Sequence, residues 1–274
     1  MIQRSRRRRM VVAVLLTILI AVTACGSPAE DSSLQESSST SRSPANAVYV
    51  VPDRIRDATM VWSAEPGINL YSDEGTLTRA ALESFAIGLM VGLDYTYLGF
   101  AASSKIPGGG RLLGGFDDDT EQGPFVGTIH GHIQRIIPTD TGFDVISCLL
   151  SVGLDELADG KYSPSRISNG EGAELRSRFF RTVAEASEAA APSRTAKPES
   201  DERHWQAPTG NQFVGWEIDG FTDRDPSTAG SGRCVPWARS LYPDAPAVIP
   251  RDAYARDTPP PVQPAYPGWP DGSN

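Results

Sequence analysis

Apolar positions along the chain mark out a few elements, set apart by polar, glycine-rich or proline-rich stretches. Leu77, Ala81, Phe85, Leu89 and Leu93, with Leu82 and Ala86 beside them, recur at helical spacing and predict one amphipathic helix over Asp73 to Val91. Ser72, Asp73 and Glu74 supply an N-cap and an acidic first turn for it. From Phe125 to Ile137 the period changes to two. Phe125, Ile129, Ile133 and Ile137 fall on one side and Thr128, His130, His132 and Gln134 on the other, the pattern of a strand with one buried face. Pro138-Thr139-Asp140-Thr141-Gly142 is a turn, and Phe143 to Val152 is the returning antiparallel strand. Two more strands are expected at Glu174 to Val183 and Gln212 to Phe221, the second placing Trp216 and Ile218 on one face. The charged, Ala- and Pro-bearing segment between them, Ala184 to Pro208, is expected to be a mobile edge loop.

The chain ends read differently. Arg4 and Arg6 to Arg9 precede an uncharged apolar run from Met10 to Val22, which narrows to Thr23 and Ala24, the order of a secretory signal. The run falls short of the roughly 20 residues a bilayer-spanning helix needs. Ser5-Arg6-Arg7 also fits a twin-arginine export signal, and the two export routes are not separated by these residues.

Val22-Thr23-Ala24-Cys25 resembles the lipobox of bacterial lipoproteins, an aliphatic residue and two small ones before a cysteine. The resemblance covers the first 25 residues. It implies cleavage before Cys25, a diacylglycerol thioether on its sulfur, and a protein anchored at the extracytoplasmic face of the cell membrane. Several acyl chains on one residue hold such an anchor, because each buried methylene contributes about 0.8 kcal/mol.

Composition sharpens this picture. The whole chain carries a formal charge of −9, and with the five arginines before Cys25 removed the balance is 20 positive against 34 negative, a net of −14. An acidic domain repels nucleic acid, so no nucleic-acid partner is expected. Residues 25–47 are small and polar, a disordered tether that sets the domain a few nanometres, roughly, from the lipid. Residues 48–242 form a single domain, and 243–274, with Pro259-Pro260-Pro261, read as an extended or disordered tail. With Cys25 lipidated, Cys148 and Cys234 make an even pair in an oxidising compartment and are expected to form a disulfide, the alternative being two separate buried thiols.

A helical N-terminal part followed by antiparallel strands is the order of an α+β domain. It resembles the NTF2-like, cone-shaped fold, in which early helices pack on a curved antiparallel sheet. Arg79-Ala80 through Glu83-Ser84 to Tyr97-Leu98-Gly99-Phe100 is similar to stretches of actinobacterial lipoproteins that have no assigned activity. That likeness implies an address and no chemistry.

Candidate chemistry is sparse. His130 and His132 lie two apart on one strand face with Gln134, a geometry that suits a pocket wall, a general base or part of a metal site. No third metal ligand stands at a recognisable spacing, and two half-exposed strand histidines are the simpler explanation of the pattern. Asp117-Asp118-Asp119 and Glu121 lack the alternation of a calcium loop and read as solvated acids. Gly108-Gly109-Gly110 and Gly114-Gly115 lack the lysine of a phosphate cradle. No Gly-x-Ser-x-Gly elbow or Ser-x-x-Lys pair occurs, and no motif calls for a cofactor. The reading is a tethered, non-catalytic domain that binds a protein or an apolar small molecule. One alternative is a small hydrolase or isomerase using His130 or His132. Another is an accessory subunit of an envelope transport assembly, a role the NTF2-like resemblance implies.

Overall fold

A computed structural model describes residues 49–104, 122–182, 203–222 and 232–269; the signal, Cys25, the tether and the acidic and glycine-rich runs of 108–121 lie outside them. The strands are β1 (Ala58–Ala64), β2 (Phe125–Thr139), β3 (Gly142–Ala158), β4 (Lys161–Pro164), β5 (Ala173–Arg181) and β6 (Trp216–Thr222). Helix α1 (Asp73–Val91) lies between β1 and β2, the one-turn α2 (Phe100–Ser103) follows it, and α3 (Cys234–Leu241) comes after β6. One six-stranded open sheet runs β1-β2-β3-β5-β6, with β4 paired to β3 off this path. The architecture is mixed α+β.

The sheet departs from the antiparallel one expected. Strand β1 precedes the helix and pairs with β2 in parallel, Ala58 opposite Gly127 through Ala64 opposite Ile133, so α1 is the crossover that parallel neighbours need. Its period is obscured because Ala58, Thr59 and Met60 are buried in succession.

Helix α1 starts where the polar cap places it, with the Ser72 hydroxyl accepting from the Gly75 N–H at 3.1 Å. Its amphipathic reading fails. Polar Arg79, Glu83 and Ser84 are buried along with the apolar stripe, because Trp205 and Trp269 come in from distant parts of the chain to cover that side.

Strand β2 is likewise buried on both faces from Gly127 to Ile133. A register shift between Ile133 and Arg135 inserts an extra residue, and this swaps the faces beyond it. Ile136 therefore packs on the core, whereas Ile137, expected inside, is exposed. The β2–β3 hairpin closes at Thr139 and Gly142 around Asp140-Thr141, as the turn residues indicate. Asp159 and Gly160, with φ of 52° and 76°, close the β3–β4 hairpin in the left-handed conformation that an Asp-Gly pair favours.

The expected disulfide forms. Cys148 of β3 is bonded to Cys234 at the start of α3, with Cα atoms 5.6 Å apart. Phe143, Val145 and Leu149 of β3 join the main core, and Cys148 belongs to the other face, so the bond clips α3 there. Pro236 is accommodated because the first turn of a helix lacks intrahelical partners for its N–H groups.

The proline-rich segment is not a disordered tail over its described part, up to residue 269. Tyr266 bridges to Val61 as an added parallel step, its N–H donating to the Met60 carbonyl, and so covers the outer edge of β1. Arg256 pairs with buried Asp155 at 2.7 Å, Arg251 pairs with Glu156 at 2.6 Å, and Trp269 is buried. The dividing segment before β6 is also ordered where it is described: the Trp205 side chain is buried, and the Trp205 backbone N–H donates to the Arg56 carbonyl.

Candidate functional site

The even-numbered face of β2 points away from the main core and carries the sequence candidates. His132 lies opposite Cys148 in the β2–β3 register and opposite Ser63 in the β1–β2 register. The disulfide at Cys148 holds α3 over this face, and the Trp237 indole stacks on the His132 ring with centroids 5.2 Å apart and planes 21° apart. His132 Nδ1 is 2.9 Å from Ser63 Oγ, and its Nε2 is 3.4 Å from the Glu65 carboxylate. Ser63 and Glu65 are exposed, whereas the histidine is buried.

His130 takes different partners. Its Nε2 is 3.3 Å from the Tyr242 hydroxyl, just past α3, and the two rings meet edge to face. Gln134 donates to the Arg233 carbonyl at 2.9 Å, at the N-terminal end of the same helix. All three side chains are thus taken up by the segment that the disulfide clips to the sheet. His130 and His132 do not line an open cup; each is enclosed. Burial pushes the His130 imidazole down to about 4. Burial also lowers that of His132, against an opposing pull from Glu65. Both shifts favour the neutral imidazole.

Among the described residues no group of three or more His, Cys, Asp and Glu side chains is placed to hold a metal ion. His204, the remaining histidine, sits 3.6 Å from Asp57 and apart from the other two.

A second polar centre lies in the main core, and the sequence reading passed over it. Glu83 of α1 accepts from the Trp62 indole N–H at 2.8 Å on one oxygen, and from the Trp269 indole at 2.8 Å and the Tyr97 hydroxyl at 2.6 Å on the other. The Trp205 indole donates in turn to the Tyr97 oxygen at 2.9 Å. The Arg79 guanidinium, one helical turn from Glu83, lies 4.4 Å from the centre of the Trp269 ring and donates to the Pro267 carbonyl at 2.7 Å. Burial raises the Glu83 carboxyl above its ordinary range, opposed by Arg79 and by the three donors.

This network ties β1, α1, the 203–207 segment and the C-terminal segment to one carboxylate. Its members are buried, and their bonds to Glu83 hold distant parts of the chain together. Two charged residues four apart in the middle of an apolar helix, and Tyr97 after it, were its trace in the sequence.

No helix of the described residues is long and apolar enough to cross a membrane. No family model matches the chain, no curated protein is similar to it, and no solved structure matches its fold.

Proposed function

We propose that the chain is an exported lipoprotein, held by acyl chains on Cys25 at the extracytoplasmic face of the membrane, whose α+β domain works by binding a partner protein or an apolar small molecule. The observation that supports this most is the pairing of Cys148 with Cys234. A structural disulfide belongs to chains that leave the reducing cytosol, and it leaves Cys25 as the one cysteine available for lipid. Intact-mass analysis of the membrane fraction tests it. Loss of the first 24 residues with added acyl mass on Cys25 is expected, along with release of a Cys25→Ser variant from the membrane. A chain retaining its N-terminal arginines, or an unmodified Cys25, overturns the reading. Native mass spectrometry of the purified protein tests the binding role, which fails if no lipid, small molecule or protein ever accompanies it.

An NTF2-like architecture belongs to the same proposal, supported by one long helix laid against an open sheet. A second reading, a small hydrolase using His132, has one specific observation in its favour. The imidazole of His132 has a hydroxyl at 2.9 Å on one nitrogen and a carboxylate at 3.4 Å on the other.

A further inference from the structure

Ser63 and His132 face each other across the parallel β1–β2 pair, and Glu65, the first residue past the end of β1, lies 3.4 Å from His132 Nε2. Two of the three residues thus sit on adjacent strands, and the third follows β1 directly. Oγ of Ser63 has two acceptors within reach, His132 Nδ1 at 2.9 Å and the Gly131 carbonyl at 3.4 Å, and the shorter one is the imidazole. With the hydroxyl proton directed at Nδ1, the ring proton sits on Nε2 and points to Glu65 Oε1 at 3.4 Å. Trp237 stacks on the ring from α3, and the Cys148–Cys234 bond beside it fixes α3 in place. The ring is held against rotation, and the serine is exposed.

We infer that Ser63, His132 and Glu65 are the nucleophile, general base and orienting acid of a site that hydrolyses neutral carboxylic esters through a Ser63 acyl intermediate. The inference rests on the second reading above, in which His132 works as a base, and adds the nucleophile and the substrate class to it. Neutral esters are the class because the acidic chain disfavours anionic ones.

The steps balance without a cofactor. Oγ of Ser63 bonds to the carbonyl carbon while its proton passes to Nδ1 of His132. The carbon–alkoxy bond then breaks, and the alcohol leaves with that proton. Water adds to the acyl carbon and gives a proton to Nδ1, the carbon–Oγ bond breaks, and the proton returns to Ser63. The net reaction is ester plus water to acid plus alcohol. Ser63 and His132 touch the reacting atoms; Glu65 and Trp237 are positioning residues.

The test uses the full chain with a fluorophosphonate probe and p-nitrophenyl acetate. Labelling is expected on the peptide that contains Ser63. Ser63→Ala, an exposed change that spares the fold, should abolish labelling and lower hydrolysis by about a hundredfold or more, as should His132→Gln. Glu65→Gln should lower kcat with KM unchanged, and Glu65→Asp should recover part of it; a rise in KM alone would show that Glu65 has no positioning role. No labelling, or labelling elsewhere, overturns the inference. Hydrolysis that survives Ser63→Ala but not His132→Gln removes the nucleophile assignment while leaving His132 as a base. Hydrolysis absent from the wild type, or unchanged in both variants, removes both.

Discussion

The indole N–H of Trp269 donates to the Glu83 carboxylate at 2.8 Å across 186 positions of sequence, and Trp62 donates to the other oxygen of the same group at 2.8 Å. A buried carboxylate is costly unless its oxygens are satisfied, and here the strand ahead of the helix and the far end of the chain both satisfy it. Glu83 is thereby the residue on which the closure of the fold turns.

Glu83→Ala should be among the most damaging single changes. It strands two indole N–H groups and the Tyr97 hydroxyl without their acceptor and leaves the Arg79 cation buried without a counter-charge. Breaking one side of a buried charge arrangement costs about 3–5 kcal/mol, to be read as a lower urea midpoint. Arg79→Met together with Glu83→Leu should cost less than the two single changes summed, since both charges leave together. Strict additivity in the double-mutant cycle would show that the two are not coupled.

Trp269→Ala should destabilise the protein by about 3–5 kcal/mol, the range for truncating a buried tryptophan. Deleting residues 262–274 should go further and uncover the β1 edge, where Tyr266 now pairs with Met60 and Trp62. Light scattering of the truncated protein is expected to show association through that edge. A truncated chain that stays monomeric with an unchanged melting temperature would assign the segment no closing role.

Acidification should destabilise the fold through His130. In the unfolded chain the imidazole takes a proton near 6.5, while burial holds it off until about 4 in the folded one. Between these values the unfolded state binds more protons, so stability is complete above the upper value and falls as pH drops through the window. The loss is on the order of 3 kcal/mol. Burial of His132 adds to it in the same direction. His130→Gln should flatten the dependence of the urea midpoint on pH between 6.5 and 4.

Replacing Cys148 and Cys234 by serine should cost about 2–5 kcal/mol. The loss should be local as well as global. Freed from the sheet, α3 should no longer hold Trp237 against His132, and the imidazole proton resonances of His132 should lose their ring-current shift. Unchanged His132 resonances in the reduced protein would mean that α3 docks without the bond.

Local pattern settled a good deal here. The span of α1, its Ser72 cap, the β2–β3 hairpin and its turn, and the pairing of the two cysteines are short-range or stoichiometric properties, and the residues carry them directly. What tertiary structure decided was which side of each element is covered. Strand β2 looked half-buried because alternation records only polarity, yet α3 encloses its polar face and a bulge turns Ile137 outward. Arg79 and Glu83 gave no sign of a buried network because their partners, Trp62, Tyr97, Trp269 and Pro267, lie up to 188 positions away. The meeting of Ser63 with His132 needed a parallel pairing of β1 and β2 that no periodicity encodes. Helical and strand periods report a residue's nearest neighbours along the chain, while burial and hydrogen bonding of polar side chains depend on segments that only folding brings together.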